Sequence, residues 1–331
     1  MWTTQARQRY AWTRRKEGLR LTNAEWARIE PLLPQHSKLG RPWTHERRTV
    51  LDAILHLLRT GCAWSALPDW APPRSTVYEW FRYLVDGGWL QRLNHTPLMF
   101  VREHQGREAS PTLGIVDSQT VKVMASAGPR GYDAAKKING RKRHILVDSR
   151  GNLLAVRVTD GAVQDRDGGV DLVRQVRSLF PWIVRVAADS AYVGHFETAL
   201  ARLRIIVEIV RRPDASKGFV LLPKRWRVEQ AFGAGRFCRR LLVDHETLPR
   251  VSEAMIGSHD PARLNHALRS HTNSLNSLTG RALSAVGLRY QLSLDRARRS
   301  ISSCPPLPCS RHGCFRSASQ MPPSTRARPT A

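Results

Sequence analysis

The middle of the chain contains short apolar runs whose order limits the folds that it can adopt. Three of them follow one another: LGIVD (113–117), RHILVD (143–148) and LLAVRVTD (153–160). Their length and their content of Val, Ile and Leu predict strands, and the turn residues before the third predict an antiparallel meander. The later runs IVRVAADS (183–190) and RIIVEIV (204–210) predict two more strands.

Helical patterns separate and follow these later strands. Apolar residues recur at helical spacing after Asp167, in HFETALARL (195–203) and in PKRWRVEQAFGAGRF (223–237). A meander that leads into a strand–helix–strand unit predicts a mixed sheet with helices on both faces. The fold class that we expect for this part of the chain is therefore α/β.

Two aspartates directly follow apolar strands. Asp117 is expected to end the first strand and Asp189 to end the fourth. In the ribonuclease-H-like topology, which this order of elements resembles, those strands are neighbours at the centre of the sheet. The two carboxylates would then lie side by side, where like charges need a cation or a shared proton. The alternative, two ordinary strand-end aspartates, requires no partner.

A third acid, Glu229, lies on the last predicted helix. Three convergent carboxylates are hard oxygen ligands that suit magnesium. Two metal ions about 4 Å apart can activate a water and stabilise the leaving oxygen in phosphodiester cleavage. We therefore expect two Mg²⁺ ions as cofactor, with Mn²⁺ as a possible substitute. Asp148, Asp160 and Asp167 have the ordinary positions of turn and helix-cap residues and are not expected to bind metal.

Residues 21–106 have the pattern of a helical unit. Thr22 and Glu25 form a capping-box signature, Gly61 is placed to end a second helix, and Thr76 with Glu79 predicts a capped third helix. The polar start of the third helix suits a helix-turn-helix reader of DNA, whereas the alternative is a bundle used for packing or dimerisation. The residues expected to contact DNA here are Arg74, Ser75, Thr76 and Arg82.

The charge of the chain favours a polyanionic partner. It has 53 Lys and Arg against 27 Asp and Glu, a formal net charge of +26, which suits nucleic acid. The run KKINGRKRH (136–144) concentrates this charge before the second strand. It is either a solvated hairpin arm or a DNA contact, and we favour the contact because it would offset the repulsion between phosphate and the nearby acids. The candidates are Lys136, Lys137, Arg141, Lys142 and Arg143.

Several blocks of this sequence resemble the bacterial insertion-sequence transposases of the DDE type, in the group five branch. The resemblance runs from about 21 to 257 and is carried by LTNAEWARIEPLLP, VLDAILHLLRTGCAWSALP, STVYEWFRYL, IVDSQTVK, GYDAAKKINGRKRHILVDSRG, VQDRDG, DSAYVG and KRWRVEQAFG. It implies that Asp117, Asp189 and Glu229 are a catalytic triad. It also implies cleavage at the inverted repeats of an element and joining of the 3′-OH to target DNA, and we expect a homodimer on DNA.

The family signature places Tyr, Arg, Glu and Lys on the last helix. Arg225 stands four residues before Glu229, as expected for a phosphate contact on the same helix face. The tyrosine position is Leu222 and the lysine position is Arg236, which can still hold a phosphate. Gly233 and Gly235 stand where the family usually has bulkier residues.

The two ends of the chain differ from its middle. Residues 1–20 are expected to be flexible and basic and lack a secretory apolar region, and no run of about 18 apolar residues predicts a membrane span. We expect a cytoplasmic, nucleoid-associated protein. Residues 107–257 would be the catalytic domain. Residues 258–331 are rich in Ser, Pro and Arg without Lys or Glu, which predicts a disordered and frameshifted tail.

Three functions fit these patterns. The first is a DDE transposase that cuts and joins DNA. The second is a decayed transposase that only binds DNA, and the third is a ribonuclease-H-like nuclease that cuts without joining. A labelled inverted-repeat end incubated with magnesium separates them, because only the first forms a strand-transfer product.

Overall fold

The structure is a computed structural model, and it describes residues 20–35, 43–124, 128–211 and 224–258. The predictions for the flexible N-terminus, for the tail and for Leu222 fall on residues outside these ranges, apart from Arg20 and Ser258 at their edges. No helix in the described ranges is both long enough and apolar enough to cross a membrane.

The first part of the described chain is helical. Its α-helices are α1 (Asn23–Ile29), α2 (Arg47–Thr60), α3 (Arg74–Asp86) and α4 (Trp89–His104). The predicted capping box is present at α1, where Thr22 and Glu25 each accept a backbone N–H of the other residue. Gly61 ends α2 in the left-handed conformation, with φ of 71°, as predicted.

The predicted start of α3 is wrong. This helix begins at Arg74, and its N-cap residue, Pro73, makes no side-chain cap hydrogen bond. Proline fixes its own φ and suits the residues just before or within a first helical turn, so the helix starts one residue earlier than Ser75. Thr76 consequently lies inside the first turn and does not cap it.

A six-stranded mixed sheet follows, with β1 near its centre. Its strands are β1 (Leu113–Lys122), β2 (Gly131–Asp133), β3 (Ile138–Asp148), β4 (Leu153–Asp160), β5 (Arg185–Ala188) and β6 (Ile206–Ile209). β1 pairs antiparallel with β3 and parallel with β5, which in turn pairs parallel with β6. β2 and β4 both pair with β3, at different parts of its length. This is the ribonuclease-H-like mixed sheet that the sequence predicts, with β2 as an additional short strand.

Helices cover both faces of the sheet. α5 (Asp165–Leu179) and α6 (His195–Arg202) pack around Val116 and Leu146 on one face. α7 (Arg225–Gly235) and α8 (Pro249–Ser258) lie on the other face, where Val228 of α7 and Met255 of α8 join a core with Ile145. Side chains alternate between the faces along each strand, so successive residues of β1 point to different helix layers.

The helical part shares a core with the second of these faces. Leu57 of α2 and Phe81 of α3 belong to the same apolar cluster as Ile145 and Met255. α4 is also fixed to the sheet, because Asn94 Nδ2 donates to the Leu153 carbonyl at 3.0 Å. In the described residues, the helical part and the sheet part therefore share an apolar core, and the boundary at residues 106 and 107 stays a prediction.

Candidate active site

Asp117 lies in the middle of β1, and the prediction that it ends the strand is wrong. β1 continues to Lys122 because β3 pairs with it as far as Gly140. On its other side, β1 pairs with β5 only from Leu113 to Ile115. Asp117 therefore stands just beyond the point where its parallel neighbour stops. An acid can follow the apolar run here because one flank of the strand is no longer covered by β5.

Asp189 is the first residue after β5, as predicted. It caps a short 3₁₀ turn (Ser190–Tyr192) and accepts a hydrogen bond from the Ala191 N–H at 2.9 Å. Ile115 of β1 is in register with Ala187 of β5. Asp117 and Asp189 each lie two residues beyond that pair. The register of the two parallel strands therefore brings the two acids to the same level, at the C-terminal end of β5.

The carboxyl of Asp117 is held in a partly buried environment that disfavours its charge. The pKa of Asp117 is raised to about 6. Burial is the largest cause and the negative charge of Asp189 acts in the same direction, whereas the Ser118 N–H, Arg225 and Lys136 act in the opposite direction. The Ser118 N–H donates to Asp117 Oδ1 at 2.7 Å. These neighbours offset only part of the cost of a negative charge on Asp117 at this position. A bound cation would offset the rest.

α7 places Arg225 and Glu229 one turn apart beside these acids. Arg225 Nη2 lies 3.7 Å from Asp189 Oδ2 and 3.8 Å from Glu229 Oε1. The Glu229 side chain is 56% exposed and that of Asp189 is 24% exposed. The guanidinium of Arg225 therefore lies between two of the predicted catalytic acids and offsets part of their charge.

The three acids are near one another but do not surround a common point. Among the residues that the structure describes, no group of three or more His, Cys, Asp or Glu side chains is arranged to hold a metal ion. The donor set nevertheless fits a hard divalent cation, since all three side chains offer carboxylate oxygens. Glu229 is the most exposed of the three, so it is the side chain with the most freedom to turn towards Asp117 and Asp189.

The basic run divides into an exposed part and a buried part. Lys136 and Lys137 are exposed, as a DNA contact requires. Arg141, Lys142 and Arg143 are 0%, 5% and 4% exposed, and their expected role in contacting DNA is contradicted. They lie on β3, an interior strand with helices on both faces, so their side chains point into the protein on alternate sides.

Each buried cation has partners inside the protein. Arg141 donates to Asp244 and to the Pro129, Glu246 and Thr247 carbonyls. Arg143 Nη1 donates to the Leu241 carbonyl at 2.6 Å. Lys142 Nζ lies 2.8 Å from Asp165 Oδ1 and 3.4 Å from Asp133 Oδ2. Three of the five candidate cations of this run thus form hydrogen bonds or ion pairs with groups inside the protein.

The remaining predicted DNA contacts are on the surface to different degrees. Arg74 and Ser75 are exposed at the start of α3, and Thr76 is partly buried. Arg82 is partly buried and lies 3.7 Å from Asp86 Oδ2. Arg236 is exposed at the C-terminal end of α7, on the helix that carries Glu229.

The sequence interpretation gave no role to a polar layer behind Asp117. Asp133 and Asp165 flank the ammonium of Lys142 on the α5 side of the sheet. Ser118 lies on the same side of β1, and Lys136 Nζ is 3.4 Å from its hydroxyl. The block VQDRDG that contains Asp165 was part of the resemblance. The signal that could have indicated the layer is the alternation of polar residues at 118, 120 and 142 in otherwise apolar strands.

Comparison with known families agrees with this geometry. The family model described as “Transposase DDE domain” matches residues 108–259, and the one described as “Putative transposase of IS4/5 family” matches residues 21–94. A search of curated proteins finds no match. Among solved structures, the crystal structure of the Mos1 mariner paired end complex with Mn matches at 12% identity over 71% of this chain and 82% of that chain. Its TM-score is 0.25, which is too low to carry an argument. On the two family matches, the chain belongs to the DDE transposases of the IS4/5 type.

Proposed function

We propose that this chain cleaves DNA at the terminal inverted repeats of its insertion sequence and joins the freed 3′-OH to target DNA. Asp117, Asp189 and Glu229 would be the catalytic acids. The observation that carries the proposal is the register of β1 and β5, which sets Asp117 and Asp189 at the same level. Glu229 lies on the helix that covers the same face. The helical part (21–106) would bind DNA and the sheet part (107–257) would cut it.

The proposed cofactor is two Mg²⁺ ions, for which Mn²⁺ would substitute. Asp117, Asp189 and Glu229 would hold them through carboxylate oxygens, the ligands that these hard cations prefer. When bound, the ions would supply the Lewis acidity that activates a water or a 3′-OH and stabilises the leaving oxygen. The raised pKa of Asp117 supports this, because its carboxylate lacks a full counter-charge.

The chain's own cations would hold the DNA backbone against these acids. Arg225 is now shared between Asp189 and Glu229, and it would turn to a phosphate when metal ions take over that charge. Lys136, Lys137 and Arg236 are exposed and would contact further phosphates, as would Arg74 on α3. We propose a homodimer on DNA as the active form and the cytoplasmic nucleoid as its place of action.

The test is a cleavage and joining assay on a labelled inverted-repeat end. The wild-type chain with Mg²⁺ should cut the end and form strand-transfer product with target DNA. Asp117→Asn should abolish both products while it retains or tightens binding, because a charge that repels phosphate is removed. Asp167→Asn is the matched control, since Asp167 is half-exposed and contacts His195. It should cleave like the wild type.

The outcomes separate the competing functions. Binding without cleavage by the wild-type chain would support the decayed transposase, a reading favoured by the position of Arg225 between two of the acids. Cleavage without any joined product would support the nuclease. Cleavage by Asp117→Asn at the wild-type rate would overturn the assignment of the catalytic acids.

A further inference from the structure

A cavity of about 460 Å³ lies between the sheet and α7. Gln119 of β1 and Arg143 of β3 line it from the sheet, where the two residues are directly opposite each other. Phe232 and Gly235 of α7 and Leu241 of the segment after α7 also line it. Its volume is within the range of small-molecule sites, which is about 300–1,000 Å³.

The cavity lies on the same face of the sheet as Asp117. Gln119 follows Asp117 by two residues on β1, and residues two apart on a strand point to the same face. Phe232 follows Glu229 by three residues on α7, so it lies about one helical turn further along. None of the three proposed catalytic acids lines the cavity. A ligand in it would therefore lie beneath the helix that carries Glu229, beside the acids but in a site of its own.

The charged side chains of the cavity are cations. Lys122, Arg143 and Arg236 line it, and none of its described lining residues is an acid. Arg143 is 4% exposed, and its Nη1 donates to the Leu241 carbonyl, but its Nε–H has no hydrogen-bond partner among the described residues. A buried donor without a partner is costly, and an acceptor bound in the cavity would remove that cost.

Other groups of the protein offset the charge of Arg143 only in part. Burial lowers the pKa of Arg143 and the nearby Arg141 acts in the same direction, whereas Asp244 acts in the opposite direction. Asp244 already accepts hydrogen bonds from Arg141 and from the Ser252 hydroxyl. Hydrogen bonds between two charged groups are stronger than those between neutral groups. An anion is therefore the acceptor that Arg143 would bind best.

We propose that this cavity binds a small organic anion that carries an aromatic ring. The phosphate or carboxylate group of the ligand would accept from Arg143, and the positive charges of Lys122 and Arg236 would add to the attraction. The ring would lie against Phe232 and Leu241. Apolar walls with a few polar groups are the usual composition of small-molecule sites. The site goes beyond the proposed function, because binding there requires neither DNA nor a metal ion.

Gly235 and Gly233 provide a matched pair of variants on α7. A Cβ at Gly235 would meet only Leu241 Cδ1, at 3.8 Å, which is an ordinary contact. A Cβ at Gly233 would meet nothing within 4 Å, and Gly233 does not line the cavity. Gly235→Leu should therefore fill part of the cavity, whereas Gly233→Leu should leave it open. Both variants replace a helical glycine by a good helix former, so neither should loosen α7.

The experiment measures binding of 1-naphthyl phosphate to the full chain by titration calorimetry, without DNA and with EDTA present. The control ligands are 1-naphthol, which has the ring without the anion, and inorganic phosphate, which has the anion without the ring. The wild-type chain and Gly233→Leu should bind 1-naphthyl phosphate equally well, and about 10-fold or more tightly than either control ligand. Gly235→Leu should lose about 10-fold or more in affinity, because its side chain occupies the space of the ring.

Two variants of Arg143 test the role of the cation. Arg143→Met removes the charge and should lose about 10-fold or more in affinity for 1-naphthyl phosphate. Arg143→Lys keeps a positive charge and should retain more of the affinity. Melting temperatures identify the variants that fold. If Arg143→Met does not fold, because Arg143 also binds the Leu241 carbonyl, the comparison of Gly235→Leu with Gly233→Leu decides.

Three results would overturn the site. The first is a wild-type chain that does not bind 1-naphthyl phosphate. The second is equal affinity of the wild-type chain for 1-naphthyl phosphate and 1-naphthol. The third is equal affinity of Gly235→Leu and the wild-type chain for 1-naphthyl phosphate. None of these measurements involves cleavage, so failure of the proposed function would leave their outcome unchanged.

Discussion

Arg141 provides a direct test of the structural assignment of the basic run. Its side chain is fully buried and donates to Asp244 Oδ1 at 3.3 Å. It also donates to the Pro129, Glu246 and Thr247 carbonyls at 2.8, 2.6 and 2.8 Å. One guanidinium therefore joins β3 to the segment before β2 and to the segment between α7 and α8. Arg141→Met would break all of these ties while it keeps much of the apolar stem.

The expected loss follows from what is left behind. Asp244 has a fully buried side chain, and removing one partner of a buried ion pair costs about 3–5 kcal/mol. The free energy of unfolding of a typical domain is about 5–15 kcal/mol, so the loss is a large share of it. With about 2–4 °C of melting temperature per kcal/mol for domains of roughly this size, the shift should be on the order of 6–20 °C.

The assay pairs thermal melting with DNA binding at several salt concentrations. Lys137→Met is the matched control, because Lys137 is in the same run but exposed. It should keep its melting temperature and lose about 0.9 from the slope of log affinity against log salt if it contacts one phosphate. Arg141→Met should show the opposite pattern. An Arg141→Met protein that melts like the wild type but has the smaller salt slope would refute the internal role of Arg141.

Further predictions concern pH, α3 and the end of α2. Burial holds the pKa of Asp117 at about 6, above its ordinary 3.8, so its contribution to stability is present below pH 3.8 and is lost as the pH rises through 6. Asp117→Asn should therefore raise the urea midpoint of the metal-free protein at pH 8 and change it little at pH 3.5; equal midpoints at pH 8 would contradict this. Arg74→Ala should reduce the salt slope of DNA binding by about 0.9 per lost phosphate contact, and an unchanged slope would move the DNA contact elsewhere. Gly61→Ala should lower the free energy of unfolding by about 1–2 kcal/mol because its φ is 71° and a Cβ would meet Arg239 Cβ at 3.1 Å; chemical denaturation measures this, and a stability equal to the wild type would count against the reasoning.

The sequence was sufficient for most of the sheet and for the neighbouring strands that precede or carry Asp117 and Asp189, because those features depend on local pattern. The runs around Asp117 and Asp189 have strand length, and the order of elements makes their strands parallel neighbours. The position of Asp117 within β1 was not predictable in this way. The apolar run stops at the acid, but β1 continues because β3 offers pairing partners as far as Gly140, and strand ends depend on such partners.

α4 and the buried part of the basic run were missed for a different reason. Pro97 lies inside α4 and interrupts the pattern that indicates a helix. Arg141 and Arg143 lie in a stretch of charges that is typical of solvated arms. Their burial depends on Asp244 and on the Leu241 carbonyl, about 100 residues later, and no local pattern contains that information.

Arg141 and Asp117 are two kinds of buried charge. They differ in how far partners inside the protein offset the charge, and this difference indicates which of them has a structural role and which a functional one. Arg141 has a buried acid and backbone carbonyls as fixed partners, so its charge is neutralised within the fold. Among the described residues, Asp117 accepts one backbone N–H at hydrogen-bond distance and is partly compensated by more distant cations, and its pKa is raised. Sequence alone treats both as polar residues in strands. A buried carboxylate whose charge is only partly offset adds nothing to the stability of the fold. The cation that would offset the rest of the Asp117 charge is therefore expected to come from outside the chain.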